Sequence, residues 1–308
     1  MKLLKILLEQ SGKPKALIMA GSGGAGKSFI LNQIGKTNLP ILNPDTYVER
    51  DNIPLATASA KVSKEIEELV AAKKSFVWDT TAGNPRKVEQ LVEAGYDVAM
   101  IMVYTHPIVA FLSNFDRKER SLPKSAVFST WKATYSLMEY YEQLLGDNFF
   151  LIENTRVDKF GKEIRDFNQA AAKGSKGIEQ YIDNLINSDP DKFTSTYKKP
   201  FDIEDKEALA AYEREMVGVD YDSSDDSMVK ALKKHFMSFW ERGKTPPKGS
   251  MQTKVNAVTK TALADKEQAE EVASQISSML GDKNLQSKLQ SSDSIENVRA
   301  QIQNFLAR

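Results

Sequence analysis

Between Ala20 and Phe29 the chain reads Gly21-Ser22-Gly23-Gly24-Ala25-Gly26-Lys27-Ser28. This matches the G-x-x-x-x-G-K-[ST] pattern at every fixed position, and no other stretch constrains the fold as much. The glycines let the backbone turn tightly, so that successive N–H groups face inward on phosphate oxygens. Such a loop works where a buried strand ends and a helix begins, because the positive end of the helix then faces the same anion. Both flanks fit that arrangement. Lys15 to Ala20 is a short apolar run after Gly12 and Pro14, and Ser28 to Ile34 reads as a helix. Lys27 would supply a mobile charge for the β and γ phosphates, and Ser28 a hydroxyl for Mg²⁺. The expected cofactors are therefore ATP or GTP, with Mg²⁺.

Further strands are expected at Pro40–Asn43, Ser75–Asp79, Asp97–Tyr104 and Asn148–Glu153. Between them, helices are expected at Ala56–Lys73, Pro85–Ala94 and Pro107–Phe115, with one long helix at Lys124–Leu145. Five strands alternating with helices imply an α/β fold, a P-loop kinase-like parallel sheet sandwiched by helices. Ligands of such sheets bind at the carboxyl ends of the strands. Beyond about residue 160 the alternation stops. Asn168–Lys176 and Gly177–Asn187 read as helix or loop, and Ser188–Asp202, with Pro190 and Pro200, as a linker. Amphipathic helices then read at Asp226–Arg242, Lys266–Leu280 and Asp293–Leu306, the last with Asp293 and Glu296 spaced as a capping box. The expectation is a kinase domain over 1–190 and an all-α C-terminal extension over 191–308.

Composition narrows the chemistry. The absence of cysteine excludes disulfides, thiolate zinc sites and cysteine nucleophiles, and two histidines, His106 and His235, make a histidine metal site a poor expectation. A formal net charge of +0 leaves any phosphate-binding charge to be local. Met1–Leu8 is too short to span a bilayer and reads as a short amphipathic helix, so the expected setting is cytoplasmic with no membrane association.

Three more stretches carry candidate chemistry. In Asn43-Pro44-Asp45-Thr46-Tyr47, Asp45 at the tip of strand two would take the proton of an attacking hydroxyl; the alternative is a helix N-cap. In Asp79-Thr80-Thr81, the acid could hold a Mg²⁺-bound water or a substrate hydroxyl and Thr81 could add a hydrogen bond; the alternative is capping ahead of Pro85. In Asp116-Arg117-Lys118-Glu119-Arg120, a lid of arginines would neutralise charge on the transferred phosphoryl; the alternative is a solvated helix end. His106, Trp78 and Trp131 read as structural. Lys230, Lys233, Lys234 and Arg242 form a modest basic face, which leaves a nucleic-acid partner as the weaker alternative.

With these residues assembled, residues 13–155 resemble the zeta-toxin family of P-loop kinases. The carriers are GSGGAGKS at 21–28, NPDTY at 43–47, DTTAGNP at 79–85, GYDVAMIMVYT at 95–105, and the run from Asn114 through Arg117 and Arg120 to Pro123. The resemblance implies Asp45 as the base, Asp79 and Thr81 as substrate-binding residues, and Arg117 and Arg120 as phosphate-contacting lid residues. It also implies phosphorylation of a hydroxyl of UDP-N-acetylglucosamine and restraint by a small antitoxin. The strand-three acid is Asp79 where a longer Glu is common, and the two arginines are only three apart. Both departures bear on the substrate more than on the chemistry. The overall style also resembles kinase-like proteins of large tailed phages, which would place the chain in the host cytoplasm or the virion.

The leading expectation is a phosphotransferase acting on a hydroxyl of a small nucleotide-linked or sugar acceptor. The alternatives are a polynucleotide or nucleoside kinase, and a nucleotide-binding assembly or virion protein without catalysis. The C-terminal helices offer faces for a protein partner.

Overall fold

The computed structural model describes residues 12–35, 37–51, 53, 55–117, 121–122, 124–194 and 265–307. The elements, in order, are β1 (Lys15–Ala20), α1 (Lys27–Ile34), β2 (Ile41–Leu42), α2 (Pro44–Asp51), α3 (Leu55–Ala71), β3 (Phe76–Thr80), α4 (Arg86–Glu93) and β4 (Asp97–Tyr104). After them come α5 (Pro107–Phe115), α6 (Lys124–Tyr135), α7 (Met138–Leu145), a 3₁₀ turn (Gly146–Asn148), β5 (Phe149–Glu153), α8 (Val157–Ala171), α9 (Ser175–Ser188), α10 (Asp265–Gly281), α11 (Lys283–Gln290) and α12 (Ile295–Ala307).

The strands form one parallel sheet in the order β2-β3-β1-β4-β5. The central strands are buried on both faces, as their unbroken apolar runs require. Residue alternation sends Ala16, Ile18 and Ala20 of β1 into one core, with Trp131, Tyr135 and Phe167 from the helices. Leu17 and Met19 enter the opposite core, with Ile30 and Ile34 of α1. The carboxyl ends of β1, β2 and β3 therefore bring the glycine loop, Asp45 and Asp79 to one edge of the sheet.

The described part of the C-terminal region is helical, as expected, and it packs into both cores. Ala273, Ile276 and Leu285 join the first; Val298, Ile302 and Phe305 of α12 join the second. Lys15, only 2% exposed, donates its ammonium to the carbonyl of Phe305 near the end of α12. Asp293 bonds the edge of β5 in both directions, its N–H to Leu151 O at 2.7 Å and its Oδ2 to Leu151 N at 3.1 Å.

Several expectations need correction. The long helix over 124–145 is two helices, separated where the N–H of Leu137 closes a tight turn onto Thr134 O at 3.4 Å. No proline or glycine announces that step. The capping box is not formed: Ser294 caps α12 by accepting from Asn297 N at 3.2 Å, because Asp293 is committed to β5. The first helix after β5 begins at Val157, well before Asn168. The expected helices at Met1–Leu8 and Asp226–Arg242, and the linker from Ser195 onward, lie outside the described residues.

Candidate active site

The glycine loop is fixed from below. Ser22 is fully buried, and its N–H and hydroxyl each lie 3.3 Å from the phenol oxygen of Tyr135, which itself donates to Val103 O at 2.7 Å. Burial pushes the Tyr135 phenol up to about 12, so it stays a protonated donor. The N–H of Ala25 closes onto Ser22 O at 3.2 Å. Gly24 takes φ +79°, and a Cβ there would stand 2.4 Å from Ala110 O on α5. Backbone conformation and space both demand glycine at that position. Lys27 arches across the loop: its ammonium donates to Gly21 O at 2.9 Å, lies 3.4 Å from Ser22 O, and stands 3.6 Å from Asp79 Oδ1. Ser28 and Phe29, on the first turn of α1, are exposed.

Asn43 joins the tips of β2 and β3. Its Oδ1 accepts from Asp45 N at 2.8 Å, and its Nδ2 donates to Asp79 Oδ2 at 3.1 Å. Asn43, not Asp45, thus makes the capping contact at the start of α2. The Asp45 carboxylate is turned instead to Arg117 at the end of α5, whose Nη1 lies 3.2 Å from Oδ2. Asp79 does not cap a helix either; Asn84 does that for α4, accepting from Arg86 N at 3.1 Å. Asp79 is 6% exposed. Burial raises its carboxyl above the usual carboxylate range; Lys27 opposes the rise and the nearby Asp45 adds to it. Thr81 follows β3, and its carbonyl accepts from Thr134 Oγ1 at 2.9 Å, which ties that loop to α6.

The structure therefore gathers Gly21, Ser22, Gly23, Gly24, Ala25, Gly26, Lys27, Ser28, Asp45, Asp79, Thr81 and Arg117 at one edge of the sheet. Arg120 lies outside the described residues. His106 is structural: Nδ1 accepts from Ile108 N at 3.4 Å to cap α5, so Nε2 donates to Asn168 Oδ1 at 3.0 Å. Burial pushes it down to about 4, which keeps the imidazole neutral. Three residues that the motif reading passed over also touch the loop: Tyr135, Asn154 and Arg156. The last two follow directly on the carboxyl end of β5, the position where parallel sheets build sites, and that placement was their signal. Tyr135 on α6 had none.

Residues 2–128 match the family model described as Zeta toxin. That segment is zeta-toxin-like by sequence. The arrangement is that of a glycine-rich P-loop with strand-tip carboxylates beside it. No curated protein matches the chain. Among solved structures, the chain is similar to the AvrRxo1-ORF1:-ORF2 complex with ATP at 13% identity, covering 90% of this chain and 83% of that one, with a TM-score of 0.39. The same complex with sulphate ions gives 16% identity over 69% of this chain and 80% of that one, with a TM-score of 0.38. The sulfotransferase domain of the Synechococcus PCC 7002 olefin synthase gives 13% identity over 77% of this chain and 98% of that one, with a TM-score of 0.29. Likenesses this loose carry no functional argument. Among the described residues, no helix is long and apolar enough to cross a membrane.

Proposed function

We propose that the protein transfers the terminal phosphoryl group of ATP or GTP to a hydroxyl of a small acceptor of the nucleotide-sugar class. The observation that carries this reading is one chain of contacts across three strand tips. Lys27 lies 3.6 Å from Asp79, Asp79 lies 3.1 Å from Asn43, and Asn43 holds the backbone of Asp45, whose carboxylate meets Arg117 at 3.2 Å. A phosphate cradle alone would serve a switch or an ATPase. A carboxylate beside it, paired with an arginine at the end of α5, gives the proton acceptor and the cation that phosphoryl transfer needs.

In this reading the loop amides and Lys27 hold the donor phosphates. Asp45 accepts the proton of the acceptor hydroxyl as its oxygen bonds to the γ-phosphorus and the bond to the nucleoside diphosphate breaks. Asp79 and Thr81 position the acceptor, and Arg117, with Arg120, neutralises the charge that builds on the phosphoryl oxygens. The oxygen donor present suits Mg²⁺: Ser28, exposed on the first turn of α1 next to Lys27, carries the hydroxyl that would hold the ion. Among the described residues no cluster of three or more His, Cys, Asp or Glu could cage a metal, so the ion would depend on Ser28 and the donor phosphates. Bound there, Mg²⁺ would supply positive charge that offsets the charge of the donor phosphates. The nucleotide-sugar class rests on the zeta-toxin resemblance.

The test is incubation of the purified protein with ATP, Mg²⁺ and a panel of UDP-sugars, read by mass spectrometry. The expected result is a singly phosphorylated UDP-sugar made by the wild type and not by Lys27→Ala. Equal product from both proteins, or none with any sugar, would remove the nucleotide-sugar reading.

A further inference from the structure

The short segment after β5 reaches across the sheet edge onto the glycine loop. Asn154 Nδ2 donates to Ala25 O at 2.8 Å. Two residues on, Arg156 Nη2 donates to Gly24 O at 3.2 Å and to Ser113 Oγ of α5 at 2.7 Å. Two consecutive carbonyls of the loop are thus held from one side by two side chains of one segment. The segment is itself anchored. Asn154 N donates to Tyr104 O at 2.8 Å, Asn154 O accepts from Thr105 Oγ1 at 3.0 Å, and Thr105 O accepts from the indole of the buried Trp131 at 2.8 Å. Arg156 adopts φ +52°, a left-handed conformation uncommon outside glycine, and its guanidinium carbon lies 5.2 Å from the centroid of the Phe160 ring. Such a conformation persists only where the surroundings fix it.

We propose that Asn154 and Arg156 are positioning residues that brace the glycine loop so that the N–H groups not bonded within the loop face the donor phosphates. In a trans peptide the C=O and N–H point in opposite directions. A carbonyl of Ala25 held toward Asn154 therefore turns the N–H of Gly26 away from it. The Gly24–Ala25 peptide is held at both ends, by Arg156 at the carbonyl and by Ser22 O at the N–H, 3.2 Å away. Gly26 carries the imprint of the brace: a Cβ there would stand 2.4 Å from Asn154 Nδ2. On this account a side chain at Gly26 would displace the Asn154 amide from its place on Ala25 O, while the φ of +87° by itself favours glycine. Neither side chain needs to touch the nucleotide; both act through the loop they hold.

The inference rests on the reading of the loop as a phosphate cradle, and the test separates the two. The full chain is prepared as wild type, Asn154→Ala, Asn154→Asp, Arg156→Ala and Arg156→Lys. Amide hydrogen exchange over residues 21–28 is measured without nucleotide, and affinity is measured with a fluorescent ATP analogue. Loss of one neutral hydrogen bond corresponds to about a tenfold change. Asn154→Ala is expected to speed exchange at these amides about tenfold and to weaken ATP binding by about the same factor. Asn154→Asp, which sets an acceptor against Ala25 O, is expected to weaken both further. Arg156→Lys should fall between wild type and Arg156→Ala, because a cation can still reach one of the two acceptors. Unchanged loop exchange in both alanine variants would overturn the brace, whatever the nucleotide result. Faster loop exchange together with a wild type that binds no ATP would uphold the brace and sink the donor reading. If Asn154→Ala does not fold, Arg156→Ala and Arg156→Lys decide the matter by the same two measurements.

Discussion

Ser22, on the floor of the donor loop, is fully buried, whereas Asp45 and Arg117 at the acceptor corner keep 28% and 34% of their side chains exposed. The loop is held by the Tyr135 hydroxyl, by the α5 backbone against Gly24, and by the segment after β5. The corner at Asp45 is held by contacts that include Asn43 and the ion pair to Arg117. On the proposed function, the difference follows from what each half would bind. A triphosphate is the same ligand in every such enzyme, so its cradle can be rigid and buried. An acceptor has to enter and leave, and charges that meet it must be able to change partners. The half-buried Asp45–Arg117 pair stays open to solvent, which screens it, so on the proposed function a phosphoryl group could displace it.

The comparison can be broken at its strongest point first. Lys27→Ala should reduce phosphoryl transfer by about a thousandfold or more, measured as γ-phosphate transferred per unit time, because it removes the cation that follows the moving charge. Retention of activity within tenfold would show that the loop does not hold the donor. A smaller effect is expected from the face of the sheet behind α1. Phe305, 3% exposed, fills the core shared by α1 and α12. Phe305→Ala should cost about 3 kcal/mol in denaturant unfolding. A cost under about 1 kcal/mol would show that α12 is not part of the support of the donor side.

The third effect is the cost of burial near the donor wall. His106 caps α5, the helix whose Ala110 carbonyl abuts Gly24. Burial pushes its folded pKa down to about 4, below the usual 6.5 of a free imidazole. Between those two values the unfolded chain binds the extra proton, so stability is full above pH 6.5 and falls as the pH drops toward 4. From pH 6.5 to pH 5 the loss from this one group is about 2 kcal/mol. His106→Gln should flatten that part of the curve while the rest of the acid response remains. An unchanged slope in the variant would show that the imidazole is not held neutral.

Much of the donor half could be read from the sequence. The loop is one contiguous motif, and β1 and β4 are apolar runs bounded by turn residues, so local rules sufficed for their placement. The strand-tip positions of Asp45 and Asp79 followed from the parallel topology. Their partners did not, because a contact such as Asn43 to Asp79 depends on which strands are neighbours. The capping roles went to Asn43, Asn84 and Ser294 instead of the nearby aspartates, since each aspartate was drawn elsewhere by a tertiary partner. The break between α6 and α7 had no composition signal at all. Asn154 and Arg156 sat in plain view after β5, but nothing local says that a strand end will reach a loop about 130 residues earlier; the sequence separations are 129 and 132.

The most direct test of the contrast between the two halves is Asp45→Asn, assayed for both ATP affinity and phosphoryl transfer to the acceptor panel. The substitution keeps the size of the side chain and removes the proton acceptor. Affinity for ATP is expected to stay within about twofold of wild type while transfer falls by about a hundredfold to ten-thousandfold, the range for loss of a general base. Transfer at the wild-type rate, or a loss of ATP binding equal to the loss of transfer, would contradict the assignment of Asp45 to the acceptor side.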